Sequence, residues 1–255
     1  MLKKWKLIVI LGVFAYFYAY PYYQSKTLRS WHKPVHITIY AINGDKQEDT
    51  ESYITKLWLR KFDDIKQYLE TQAQEYNTPN LPKFILEVVS LKDISLPQKW
   101  LPWDNFVGRV VWSIQLRRWA ENNFDTPFAS NTIRILAHYS KNPINWPVID
   151  NMPKLQGLMR VSYLTADNKK TDQNNVFLTH LILEVLGASI KYDSNGQPLI
   201  PQGLANPEQT PLYPQLQAEI MAGRIPLGET ESILPLSLSS CIVGANTAKE
   251  INWIN

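Results

Sequence analysis

A helix that is apolar on every side is stable only in an interior, and residues 176–188, VFLTHLILEVLGA, form such a segment. Val176, Phe177, Leu178, Leu181, Ile182, Leu183, Val185 and Leu186 leave it no solvent face. His180 and Glu184 are set into it four positions apart, so both leave the same side of the helix. An ionised carboxylate in such surroundings costs several kcal/mol unless something compensates it. Four sources of compensation are open: His180 as imidazolium, another side chain, a metal ion, or protonation of Glu184 itself. Gly187 lets the chain turn sharply after the helix.

The rest of the chain supplies layers to bury that helix. VHITIYAI (35–42) alternates Val35, Ile37 and Ile39 with His36, Thr38 and Tyr40, the pattern of a strand with two distinct faces. NGD (43–45) marks a turn. Asp49 or Thr50 caps a long helix expected to reach Tyr76, with the stripe Ile54, Trp58, Phe62, Ile65, Leu69 and Ala73. KFILEVVSL (83–91), NTIRILAHYS (131–140) and LMRVSYLTA (158–166) read as further strands, and VGRVVWSIQLRRWAENN (107–123) as a helix. Pro/Trp-rich 96–105 and Pro-rich 143–153 read as loops, and irregular structure dominates after residue 188. The expectation is one α+β domain over 35–255, a mixed sheet with helices packed on it. There is no internal repeat, no P-loop and no dinucleotide fingerprint.

The net charge of +3 sits at one end. Lys3, Lys4 and Lys6 lie in the first 24 residues, which contain no acid, and the remainder carries 23 basic and 23 acidic residues. The body therefore has no basic footprint for nucleic acid. After that cluster, Leu7–Tyr20 is uncharged and a run of tyrosines extends it to Tyr23. This is the short edge of what spans a bilayer, with aromatic rings placed for the interface. Residues 1–24 are expected to be an uncleaved signal anchor contacting the lipid bilayer through 7–23. Residues 25–34 are read as a linker, and the body as exported. The expected location is the bacterial inner membrane, single-pass, with the globular domain in the periplasm or outside. One cysteine, Cys241, excludes an intrachain disulfide and reads as a small buried apolar residue.

H-E-x-x-H-x-x-G-x-x-H/D followed by a methionine turn is the signature of the metzincin zinc proteases. Residues 180–190 resemble its frame. The first ligand position falls on His180, the general base on Leu181, the second ligand on Glu184, the glycine on Gly187 and the third ligand on Ile190. AEIMAGRIPL (218–227) looks like the methionine turn, with Met221 as the floor under the metal. The chain also resembles a family of bacterial membrane-anchored, metzincin-like proteins. Its members carry an intact H-E-x-x-H-T-L-G-A-T-D-K-Y-D segment and a later P-L-Y-P-Q…A-E-I-M-A-G-R-I-P stretch. The matching segments here are LGASIKYD (186–193), PLYPQLQAEIMAGRIPL (211–227) and CIVGANTAKEINW (241–253). The anchor, ITIYAINGD (37–45) and VVWSIQLRRWA (110–120) are more weakly similar.

The resemblance implies a zincin-like fold and a zinc hydrolase, and the departures from the motif imply a degenerate one. Ile190 cannot coordinate, and Leu181 cannot take a proton from water. Zinc sites need at least three protein ligands, and hydrolysis needs metal and base together. The expected function is thus a membrane-anchored pseudo-metalloprotease, a binding or scaffold protein that holds a peptide or protein partner in the cleft and uses no cofactor. The alternative is a peptidase with zinc on His180, Glu184 and a remote ligand such as Asp193 or Glu219. Asp193 also reads as a loop residue bonding its own backbone, and Glu219 with Arg224 as a structural pair. His32, His36 and His138 form no spacing motif; His36 and His138 read as sheet-face residues. Trp100 and Trp103 read as caps on the core or as a binding surface.

Overall fold

Strand β1 (Val35–Asn43) is the axis of the main sheet. It lies between β2 (Phe84–Leu91) and β3 (Thr132–Ser140), and β4 (Met159–Thr165) follows β3, giving the order β2-β1-β3-β4. The computed structural model describes residues 19–57, 59–78, 80–91, 94–97, 106–124, 132–142 and 157–254, together with Ile8 and Gly12. Every pair in this sheet is parallel, with Val35 opposite Phe84, His36 opposite Thr132, and Arg134 opposite Met159. The expected mixed sheet is therefore a parallel one. Parallel strands of one sheet need long crossover connections, and helices lie in those from β1 to β2 and from β2 across β1 to β3.

Among the described residues six helices accompany the strands: α1 (Tyr20–Leu28), α2 (Glu48–Thr55), α3 (Asp63–Glu75), α4 (Phe106–Asn123), α5 (Thr171–Val185) and α6 (Ala245–Glu250). Val35, Ile37, Ile39 and Ala41 of β1 join a core with Ile54, Ile65, Leu69, Leu178 and Leu181, from α2, α3 and α5. Tyr40 and Ile42 join a second core on the other face with Trp112, Leu116 and Ala120 of α4. Of the polar face read for β1, Thr38 and Tyr40 are buried and His36 is exposed; Tyr40 packs in the core that α4 shares.

Two further differences have physical causes. The single helix expected from residue 49 to 76 is broken into α2 and α3, joined by a 3-10 turn over Leu59–Phe62. No glycine or proline marks the break. It lets α2 lie on β1 and β3 while α3 lies on β2 and α5. Residues 25–34 are not a free connector. Leu28 and Trp31 are buried in the main core, and Trp31 Nε1 donates to the carbonyls of Ile251 and Asn252 at 3.1 and 3.2 Å. Its ring lies 6.0 Å from Phe84 and 6.5 Å from Trp253.

Beyond α5 the chain is loop-rich, as expected, with only two-residue strands: β5 (Ala218–Glu219) beside β8 (Cys241–Ile242), and β6 (Ile225–Pro226) against β7 (Ser232–Ile233). Most of the expected span 7–23, the loop holding Trp100 and Trp103, and the Pro-rich stretch 143–153 lie outside the described residues. Among the described residues no helix is long and apolar enough to cross a membrane.

Trp31 joins the segment before β1 to the C-terminal end of the fold. Trp31→Ala in the full chain is expected to cost about 3–5 kcal/mol and to lower the melting temperature by roughly 10 °C in detergent micelles. An unchanged melt would mean that residues 25–34 are a detached linker.

Candidate functional site

The site is built on α5. From Thr171 to Val185 every residue except Asp172 and Phe177 is buried. Its polar residues donate to backbone carbonyls: Thr179 Oγ1 to that of Asn175 at 2.7 Å, Asn174 Nδ2 to that of Thr165 at 2.9 Å and Asn175 Nδ2 to that of the distant Lys61 at 2.8 Å. The helix stops where expected. Gly187 has φ +105°, and the N–H groups of Gly187 and Ala188 donate back to Glu184 and Leu183 at 3.0 and 2.9 Å, a Schellman ending.

Glu184 is 6% exposed, and its compensation comes from another side chain. Arg160 on β4 places Nη2 3.2 Å and Nε 3.3 Å from Glu184 Oε1. Arg160 Nη1 donates to the carbonyls of Gly157 and Met159 at 3.0 and 2.9 Å. The guanidinium is thereby held on both sides, and charge meets charge without water. A sequence signal for this existed. Arg160 is the only charged residue of 158–166, in the strand that leads into the helix needing a cation.

His180 is 1% exposed. Its Nδ1 lies 2.9 Å from the carbonyl of Ile220 and donates to it. The Tyr192 ring lies beside it, with centroids 6.2 Å apart. Ile220 belongs to the stretch 218–227, whose sequence resembles a methionine turn. Met221 there is fully buried in the main core, its N–H bound to Glu219 and its carbonyl accepting from Lys191 N at 3.0 Å. Gly223, at φ +67°, completes the turn.

Glu219 is 0% exposed and holds that turn together. Its Oε2 accepts from the N–H of Met221 at 2.7 Å and of Ala222 at 3.0 Å. Its Oε1 accepts from Thr247 Oγ1 at 2.6 Å and Gly244 N at 3.2 Å, tying the turn to α6. Burial still pushes its carboxyl above the usual range, against those hydrogen bonds and the charge of Lys191. Arg224 is not its side-chain partner; it donates to Ser232 Oγ and O at 2.7 and 2.9 Å.

The remaining candidates separate from this centre. Leu181 is core. Ile190 is half-buried beside a cleft of about 520 Å³. Asp193 is exposed and accepts from Asn195 N and Gln197 N at 2.8 and 2.9 Å, and the Gln197 N–H holds its carboxyl below the usual range. It shapes its own loop. His138 packs against Gly44, where an added Cβ would come within 2.0 Å of its ring. Burial pushes the Cys241 thiol up to about 12, so it behaves as an apolar residue.

Lys191 went unnoticed in the sequence because it is flanked by loop residues. It is 2% exposed. Its Nζ lies 2.9 Å from Glu250 Oε2, and Glu250 also accepts from Ser189 N at 2.8 Å and Ser189 Oγ at 2.5 Å. This pins the segment after α5 to α6.

Zinc does not fit these residues. His180 is one donor; Glu184 is committed to Arg160, Glu219 to backbone N–H groups, and Ile190 has no donor atom. Among the described residues no three His, Cys, Asp or Glu side chains cluster so as to hold a metal ion. No family model, no curated protein and no solved structure matches the chain.

Glu250 gives this region a pH dependence. Desolvation raises its pKa, but the Ser189 hydrogen bonds and Lys191 outweigh it and hold the carboxyl below the ordinary 4.5. The fold favours the ionised form, so this stability is fully present above 4.5 and lost as pH falls through the lower folded value. In thermal melts Glu250→Gln is expected to be less stable than wild type at neutral pH, with the gap narrowing below 4.5. A gap that is constant with pH would remove the ion pair from this account.

Proposed function

We propose that this chain is a membrane-anchored, exported pseudo-metalloprotease, a binding or scaffold protein with no hydrolytic activity. The observation that carries the reading is the Arg160–Glu184 pair. At the position where the resemblance puts a metal ligand stands a carboxylate neutralised by a guanidinium from the neighbouring strand. A divalent cation brought to Glu184 would displace or face that guanidinium, at a Coulomb cost of several kcal/mol even in a partly screened interior.

The other replacements point the same way. Zinc hydrolases need a metal-bound water and a base to take its proton. Leu181 stands at the base position with only an aliphatic side chain, and Ile190 stands at the third-ligand position. His180 keeps the carbonyl-bound orientation of a ligand histidine, and here that contact fastens α5 to the methionine turn. The frame is retained as packing.

In this reading residues 7–23 anchor the protein in the bacterial inner membrane and the body faces the periplasm or the outside. The partner is a peptide or protein. The open space nearest the third-ligand position is the cleft beside Ile190, with Gln202, Asn246 and Lys249 also lining it. These side chains suit hydrogen bonds to a backbone or to an acidic side chain.

The test is elemental analysis of the full chain, extracted in mild detergent without chelators, beside His180→Ala. The expected result is far less than one zinc per chain in both proteins, with no cleavage of unfolded substrates. About one zinc per wild-type chain, lost in the variant, would overturn the reading in favour of a peptidase with zinc on His180 and Glu184.

A further inference from the structure

A cleft of about 600 Å³ opens at the end of the sheet where β1 and β3 begin, below the C-terminal end of α1. Its polar lining is the Lys33 ammonium, the imidazoles of His32 and His36, and the hydroxyls of Thr27, Ser30 and Thr132. Among the described residues no carboxylate lines it. Two other clefts among the described residues differ in this respect: one carries Glu48 and Glu51, another Glu250. The chain around the cleft is equally one-sided. Residues 1–44 contain Lys3, Lys4, Lys6, Lys26, Arg29 and Lys33 and no acidic side chain; Asp45 is the first.

Position narrows the ligand. Tyr22 and Tyr23 on α1 are 58% and 64% exposed. Thr27 is one helical turn beyond Tyr23, to whose carbonyl its hydroxyl donates at 2.9 Å. Four residues of helix are about 6 Å. Leu28 and Trp31, buried in the core, fix this end of α1 to the body, so the cleft cannot swing away from it.

We propose that this cleft binds the phosphate-bearing headgroup of an anionic phospholipid and so holds the body against the membrane surface. The proposal rests on the reading of residues 7–23 as a membrane segment. Given that segment, the exposed tyrosines lie at the interface and the cleft at headgroup depth. Thr27 and Ser30 spend their hydroxyl protons on the carbonyls of Tyr23 and Thr27, so the Lys33 ammonium and the imidazole N–H groups of His32 and His36 are the donors that suit phosphate oxygens. Basic side chains beside a membrane add attraction to anionic lipid.

The chain's four histidines provide the readout. His32 and His36 line the cleft, whereas His138 and His180 lie elsewhere and serve as internal controls. The full chain in maltoside micelles is titrated with dihexanoyl-phosphatidylglycerol, dihexanoyl-phosphatidylcholine and inorganic phosphate, following the imidazole C2–H resonances. Phosphatidylglycerol is expected to move His32 and His36 alone, and at lower concentration than phosphatidylcholine or phosphate. Lys33→Glu is expected to raise its half-saturation by roughly tenfold, the size expected for reversing one charge at an anionic surface. Still His32 and His36 resonances, movement of all four histidines together, or an unaltered Lys33→Glu titration would overturn the site. Inorganic phosphate acting as strongly as the lipid would replace the headgroup by a free anion. Alkaline carbonate extraction of the membrane fraction separates the two levels. A chain that is released loses the membrane segment and with it the lipid as occupant. A chain that is retained with unmoved histidines loses only the cleft.

Discussion

Glu184 is carried on a helix buried along almost its whole length, so its charge has to be met from inside the protein. Arg160 meets it, and the position of Arg160 follows from the topology. β4 leads into α5 through a short 3-10 turn, which lays the helix back across its own strand. A residue near the start of that strand is thereby brought to the end of the helix. Because Arg160 also donates to Gly157 and Met159, removing either partner leaves a buried charge with incomplete satisfaction. The pair fixes how α5 sits on the sheet, and α5 in turn carries His180 to the turn that begins at Glu219.

The C-terminal third has little regular structure and is organised by two more buried charges. Glu219 gathers four donors, from Met221 and Ala222 in its own turn and from Gly244 and Thr247 at the start of α6. Lys191 joins Glu250 and Ser189, closing the segment after α5 onto the end of α6. Arg29, before β1, donates to the Glu250 carbonyl at 2.6 Å. The two ends of the fold are thus joined through one short helix. Loops of this length need such internal acceptors, since few of their groups are satisfied by sheet or helix ladders.

Periodicity and turn chemistry made much of this legible beforehand. The apolar circumference of 176–188 announced a buried helix, and Gly187 announced its end; both act within a few residues. Four main strands were placed for the same reason. The break between α2 and α3 was not readable, because no local breaker marks it and its cause is the different strands the two halves cover. The alternation in 35–42 marks two faces of β1, but nothing in it reveals that Tyr40 packs in a core with α4. Trp31, in a stretch that reads as polar linker, is buried by partners more than two hundred residues away. At the site, the need for compensation at Glu184 was visible, but the identity of the partner was set by topology. Glu219 was singled out on resemblance, and its role as the acceptor that shapes the turn required the fold.

The central claim is that the charge on Glu184 is balanced within the protein and not by a metal. A double-mutant cycle tests it most directly. Equilibrium unfolding of the full chain would be compared for wild type, Arg160→Met, Glu184→Leu and the double variant, with and without added zinc. Each single change is expected to cost about 3–5 kcal/mol by leaving one buried charge uncompensated. The double variant should cost less than the sum by roughly 2 kcal/mol or more, and zinc should stabilise none of the four. Additive single effects, together with stabilisation of the wild type by zinc, would contradict the account and place a metal at Glu184.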